Sequence, residues 1–346
     1  MIKFIVILFS LCYLAVPVSA TDFSPPSVPD AGEEYMPPDT ESFSEGLWYI
    51  IKSAIEKLNP SIVQAAGICL SLICIVLLIS ILHDSSKETQ KTVILAGTVG
   101  VGVMLLGATD SLIHLATETV TELSQYGKLL LPVLAAALAA QGGASSSGAM
   151  YSGAILFITV LSTLISKLVV PLIYIYLCLS IADAAIGEDA IKNIKAFVKW
   201  LITWSMKIVL YVFSGYMSIT KIVSGSVDAS AIRATKITIS GMVPVVGNII
   251  SDASETILVG AGIVKNSTGI YGLLAVLSVL IGPFLKIGVQ YLLLNITGSI
   301  CGVFGVKKTT GLITDFSKAM AMSLAMIGIL ALMLMISTVC FMKGVL

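Results

Sequence analysis

Within residues 241–264, Asn248, Asp252 and Glu255 recur at helical spacing on the face opposite Val246, Ile249, Ile250, Ala253 and Ile257. An amide and two carboxylates on a stretch bounded by glycine and by Pro244 have the chemistry to line a pore or to coordinate a cation. The same pattern describes an amphipathic helix lying on the outer membrane surface with its acids in water, and spacing alone does not separate the two. Lys167 and Lys286 add cations deep inside apolar runs. A charge near mid-membrane costs roughly 2.5–3.5 kcal/mol on insertion scales, so such groups tend to face protein or a water-filled cavity. These five side chains form the candidate pore or ion path.

The elements that must position them carry prolines, and Pro132, Pro171, Pro244 and Pro283 are candidate helix breaks. The breaks fall in two stretches that resemble each other. Pro132-Val133 opens one and Pro244-Val245 opens the other; Val160-Leu161-Ser162 with Leu164-Ile165 parallels Val276-Leu277-Ser278 with Leu280-Ile281. Lys167 follows the first block and Lys286 the second. The candidate repeats are residues 129–195 and 241–308, and both begin on one side of the membrane and end on the other. Two copies of one orientation make parallel repeats about an axis along the membrane normal; a chance match between two Leu/Val-rich helices is the alternative.

The bulk composition agrees with a membrane setting. The 346 residues are 57% apolar and 12% charged, with a mean hydropathy of +1.00, where soluble domains are about a quarter charged. Net charge is zero and Arg233 is the single arginine, so no basic surface exists for nucleic-acid phosphates and nucleic acid is excluded as a direct partner. Cys69, Cys74, Cys178, Cys301 and Cys340 sit in apolar segments without CxxC or Cys/His spacing, and read as small membrane-buried hydrophobes with no metal site. GVFGVKKTT lacks the glycine that a phosphate-binding loop needs before its lysine, and GTVGVGVMLLG lacks the third glycine of a dinucleotide fingerprint. Gly298 and Gly302 have the GxxxG spacing of close helix packing. Neither a cofactor nor an enzymatic constellation is expected.

In chain order, residues 1–20 read as a secretory signal peptide and 21–46 as an acidic, proline-rich extracytoplasmic linker without enough apolar surface to order itself. Residues 47–58 read as an interfacial amphipathic helix with Leu47, Trp48, Ile51, Ile55 and Leu58 on one face. Residues 59–346 form the multi-span membrane domain. Its expected spans are 61–82, 92–108, 154–182, 201–220 and 319–342, with 270–285 and 287–306 as two further apolar runs. Residues 129–140 are too short for a full crossing and read as re-entrant or interfacial. Lys192, Lys195 and Lys199 define a basic helix over 188–200, opposite Ile191, Ile194 and Val198. With Lys307 and Lys308 they mark the cytoplasmic interface under the positive-inside rule. The expected fold is an all-α polytopic membrane protein with six to ten crossings.

PVVG, SDASETILVGAG and GPFLK are polar or Gly/Pro features rather than generic membrane sequence. Through them the chain resembles the stage III sporulation protein AE family of endospore-forming Firmicutes over essentially the whole mature length. The resemblance implies a permease-like or export-gate component of the complex that links mother cell and forespore. Implied partners are the other stage III A sporulation proteins and, across the intermembrane space, the stage II protein Q; a homo-oligomer is a further option. The implied location is the mother-cell membrane around the forespore, and the implied role is to sustain late forespore gene expression. That family has no established catalytic residues to carry over. A stand-alone secondary transporter using the charged side chains above, and a scaffold that conducts nothing, remain the alternatives from the residues themselves.

Overall fold

A backbone that leaves water must satisfy its own N–H and C=O groups, and a chain this apolar does so locally, with helices. The computed structural model describes residues 25–38, 42–83, 87–242 and 247–343, and within them the side chains other than those of 83–91, 94 and 221–264. The signal peptide and Pro244 lie outside the described residues. Two short elements come first, α1 (Asp30–Glu33) and α2 (Phe43–Glu56), followed by α3 (Asn59–His83) and α4 (Lys87–Ala140). Next, α5 (Ala144–Leu164) and α6 (Val170–Ala185) are joined through a π turn, Ile165–Val169. The chain ends with α7 (Asp189–Met242), α8 (Gly247–Val303) and α9 (Lys307–Met342). No strand occurs among the described residues.

Among the described residues, six helices are long and apolar enough to cross a membrane, with the joined α5–α6 rod counting as one. That is the lower end of the expected range, because several segments expected to be separate are fused. Residues 109–140, expected as an outer loop followed by a re-entrant piece, continue α4 without a break. The runs 270–285 and 287–306 are largely a single helix, α8. At 1.5 Å per residue, the 57 residues of α8 extend about 85 Å, well over twice the hydrocarbon thickness.

Proline does not break these rods as expected. Pro132 lies inside α4 and Pro283 inside α8. Pro171 stands in the first turn of α6, directly after the π turn. A proline ring collides with the carbonyl four residues back, and widening the preceding turn relieves that collision while the rod continues. In a bundle, neighbouring helices and local adjustments make such prolines tolerable.

The rods run up and down. Gly142, Gly187 and Gly305, with φ of +90°, +82° and +79°, end α4, α6 and α8 in the left-handed conformation that glycine adopts without a Cβ penalty. The turns after α6 and α8 meet at one end. There Lys308 Nζ donates to the carbonyls of Ala185 at 3.4 Å and Ile186 at 3.3 Å, and Ser80 Oγ donates to the Phe304 carbonyl at 2.9 Å. Thr98 and Thr309 join α4 to α9 at the same end, 3.1 Å apart. About half of the apolar stretches of α8 and α9 are buried, against a third or less in the other spans, so this pair forms the centre.

The candidate repeats are built differently where they begin. The first contains the turn between α4 and α5, whereas residues 247–303 of the second lie in one helix, α8.

The linker is ordered in part, contrary to its composition. Gly32 of α1 and Tyr35 seat on α8, where a Cβ on Gly32 would stand 2.7 Å from Ser278 Oγ and 2.9 Å from the Val279 backbone nitrogen. Gly46, Ile50 and Ala54 of α2 are buried, with Ile50 and Ala54 clustering with Tyr35 and Leu274, while Trp48 and Ile55 stay exposed toward the surroundings. Lys57 closes the strap, 2.9 Å from Glu34 and over the Tyr35 ring. Burial, with the charge of Glu34 behind it, raises the Tyr35 hydroxyl pKa against the pull of Lys57. A raised pKa means that the seat contributes fully below the ordinary value of 10.0 and weakens as pH climbs through the folded value. Gly32→Leu should therefore free the strap: limited proteolysis of the purified chain is expected to cut within 25–38 several times faster than in the wild type.

Candidate functional site

At the end where the turns after α6 and α8 meet, three helices deliver charged side chains to one point. α6 contributes Tyr176, Ser180 and Asp183, whose spacing places them on one face. Lys195 comes from the early turns of α7, and Asp315 and Lys318 stand one turn apart on α9. Lys195 Nζ lies 2.5 Å from Asp183 Oδ2 and 2.6 Å from Asp315 Oδ2. Lys318 reaches the other oxygen, Asp315 Oδ1, at 2.9 Å. The Tyr176 hydroxyl donates to the same oxygen at 3.2 Å, and Ser180 Oγ donates to the Tyr176 carbonyl at 2.8 Å.

The side chains of Lys195, Asp183 and Asp315 are only 15%, 14% and 10% exposed. Two lysines face two aspartates, so the cluster is neutral in sum. Burying charges is tolerable only when pairing and hydrogen bonding replace the lost water, which this arrangement does at nearly every oxygen. An ammonium clamped between two carboxylates is a compensated cation and a poor nucleophile. What the cluster can do is hold the ends of α6, α7 and α9 in one register, as a clasp.

The clasp corrects the expectation for residues 188–200. Rather than a separate surface helix with lysines facing the cytoplasm, this segment opens α7 and turns Lys195 inward. Val198 is buried as expected, but Ile194 is exposed together with Phe197, Trp200 and Trp204. Those three rings stack in series, with centroids 5.9 Å and 5.6 Å apart. The aspartates of α6 and α9 solvate the ammonium, and the aromatics take the outward face that lipid accepts. Lys192 pairs with Asp189 at 3.0 Å near the surface, and Lys199 and Lys307 are exposed. Lys308 is spent on the turn carbonyls.

The five pore candidates are not drawn together. Lys167 is exposed on the π turn, and Lys286 is exposed on α8 beside a cavity that Lys167 does not line. Neither makes an ion pair among the described residues. Asn248, Asp252 and Glu255 fall in the first turns of α8, with side chains outside the described residues. Gly298 and Gly302 face α9, where a Cβ would stand 3.2 Å from Thr314 Oγ1 and 3.7 Å from Thr310 Cγ2 respectively.

Sequence reasoning missed Asp183, Asp315 and Tyr176. Asp315 and Lys318 are spaced i, i+3 ahead of a long apolar run, which is a legible local signal. Nothing in the chain ties that pair to Asp183 or Lys195.

The family description "Stage III sporulation protein AE" matches residues 38–344. The chain is also 23% identical over 273 residues to the Stage III sporulation protein AE of Bacillus subtilis (strain 168), an alignment covering 78% of this chain and 68% of that relative. No solved structure matches. The family match takes in all six candidate membrane spans and all the residues of the clasp, and this multi-pass chain belongs to the stage III sporulation protein AE family.

Proposed function

We propose that this chain is the membrane component of a secretion-like channel complex between mother cell and forespore, needed for late forespore gene expression. Its partners in this reading are the other stage III A proteins and the stage II protein Q, and its location is the mother-cell membrane around the forespore. The lysine-rich end faces the mother-cell cytoplasm, since Lys192, Lys199, Lys307 and Lys308 gather there. The observation that carries the reading is the family match over residues 38–344. The apolar rods that outrun a bilayer support it, because such lengths offer surface for neighbouring subunits beyond the lipid.

Energy for any driven step comes from a partner in this reading, as the chain has no nucleotide-binding motif. The role is conduction or assembly rather than catalysis.

The test is a deletion strain of the native host carrying a late forespore reporter. Reporter activity is expected to collapse without the gene and to return with it, and the chain is expected to copurify with other stage III A proteins. Full reporter activity in the deletion strain, or solute uptake by the purified chain alone in liposomes, would overturn it in favour of an independent transporter. Within the same strain, Asp252→Asn with Glu255→Gln is expected to lower spore yield at unchanged membrane abundance. Normal yield would leave the acids as a solvated face.

A further inference from the structure

On the far side of the bundle from the clasp, α3, α4 and α8 line a partly open cavity of about 70 Å³. A single water needs only about 10–15 Å³, so the space suits a polyatomic group. Its polar wall is made by Ser61 and Gln64 of α3, Ser111 of α4, and Lys286 and Gln290 of α8, and no carboxylate lines it. Gln290 is only 2% exposed, and its Nε2 is buried without a hydrogen-bond partner. A buried amide donor left unpaired is destabilising unless something supplies an acceptor. The Lys286 ammonium has no counter-ion among the described residues.

Depth narrows the ligand. The 25 residues of α3 extend about 37 Å, little more than the hydrocarbon layer, so its first turns stand at headgroup level. Ser61 and Gln64 occupy those turns. Exposed apolar side chains neighbour the lining residues along two of the helices, Val63 next to Gln64 on α3 and Phe284 two residues before Lys286 on α8. They offer lipid-like surface beside a cationic, donor-rich hollow.

We propose that this cavity seats a phosphate group, with Lys286 supplying the charge, the Gln290 amide an otherwise unused donor, and Ser61, Gln64 and Ser111 the remaining hydrogen bonds. The group is the headgroup phosphate of a phospholipid or a free phosphate anion, which share this chemistry. Bound there, it bridges α3, α4 and α8 at the membrane surface opposite the clasp.

The experiment uses the full chain in lipid-free micelles, titrated separately with phosphatidylglycerol and with inorganic phosphate. Bound ligand is counted by native mass spectrometry and thermal stabilisation is followed in parallel. Lys286→Met and Gln290→Leu are each expected to raise the Kd by about tenfold, the loss of one charge-assisted or buried hydrogen bond. Lys286→Arg should retain binding. Without ligand, Gln290→Leu is expected to melt no lower than the wild type, because it removes the unpaired donor; that separates lost binding from lost folding. Stabilisation by phosphatidylglycerol alone assigns the site to lipid, and stabilisation by inorganic phosphate alone assigns it to the free anion. Equal binding of both probes by wild type, Lys286→Met and Gln290→Leu overturns the proposal.

Discussion

Lys195→Met is expected to destabilise the chain by about 3–5 kcal/mol, the cost of breaking a buried pair and leaving its partners uncompensated. Asp183 would lose its cation, and Asp315 would keep the Tyr176 hydroxyl and, as its one cation, Lys318, which is 43% exposed. The two carboxylates that Lys195 now separates would then repel each other in a poorly solvated place. Asp315→Asn should cost less, because Lys195 keeps Asp183. Thermal unfolding of the purified variants checks the order. Removing the charges together, as Asp183→Leu with Lys195→Met and Asp315→Leu, is expected to recover much of the loss, since apolar replacement of a buried ion network is often near neutral. A clasp that matters for register has a second signature: the triple variant, although stable, should support sporulation poorly. If Lys195→Met melts with the wild type, the three helix ends are held by apolar packing alone.

The second large effect is expected at Gly153 of α5, where a Cβ would overlap the Tyr216 ring of α7. That ring has little room to yield. Its hydroxyl donates to the Ala149 carbonyl at 2.8 Å, and Phe157 packs against both it and Phe213 with centroids 5.7 Å and 5.8 Å away. Overpacking of this kind costs typically 1–3 kcal/mol and occasionally more, so Gly153→Ala should fall in that range and Gly153→Leu at or above about 3 kcal/mol. Combining Gly153→Leu with Tyr216→Ala should restore part of the stability, because the small residue returns the space. A double-mutant cycle on melting temperature measures that coupling. Equal losses in the presence and absence of the Tyr216 ring would show that the glycine serves the backbone of α5 instead.

Both positions show where sequence stops being informative. Gly153 reads as one of many glycines in an apolar segment, and only the crossing of α5 over α7 brings a ring against it. Lys195 reads as one lysine of a basic face, because an isolated helix with Lys192, Lys195 and Lys199 has no reason to bury any of them. Its inward turn depends on Asp183 and Asp315, which lie 12 and 120 positions away along the chain. The prolines mislead for a related reason. Pro132 and Pro283 would end helices in water, but a rod held by neighbours keeps going, and at Pro171 the preceding π turn absorbs the ring. The linker misleads through averaging: its composition is acidic and proline-rich, yet a few apolar side chains, Tyr35 with Met36 and Phe43, and one close-approaching glycine, Gly32, seat it on α8.

Hydropathy, with the need of a backbone in lipid to satisfy its own polar groups, makes the all-helical, multi-span character legible in the residues, and a few Gly/Pro and acidic motifs carry the family resemblance. Those are local properties, legible within one or two turns. Which charges are sheltered follows only from the packing of the helices. Asp183, Lys195 and Asp315 meet only after α6, α7 and α9 have packed, whereas Lys167 and Lys286, equally conspicuous along the chain, end on exposed faces. Burial of a charge is a property of the partners around it, and partners drawn from distant helices leave no mark in the residues nearby.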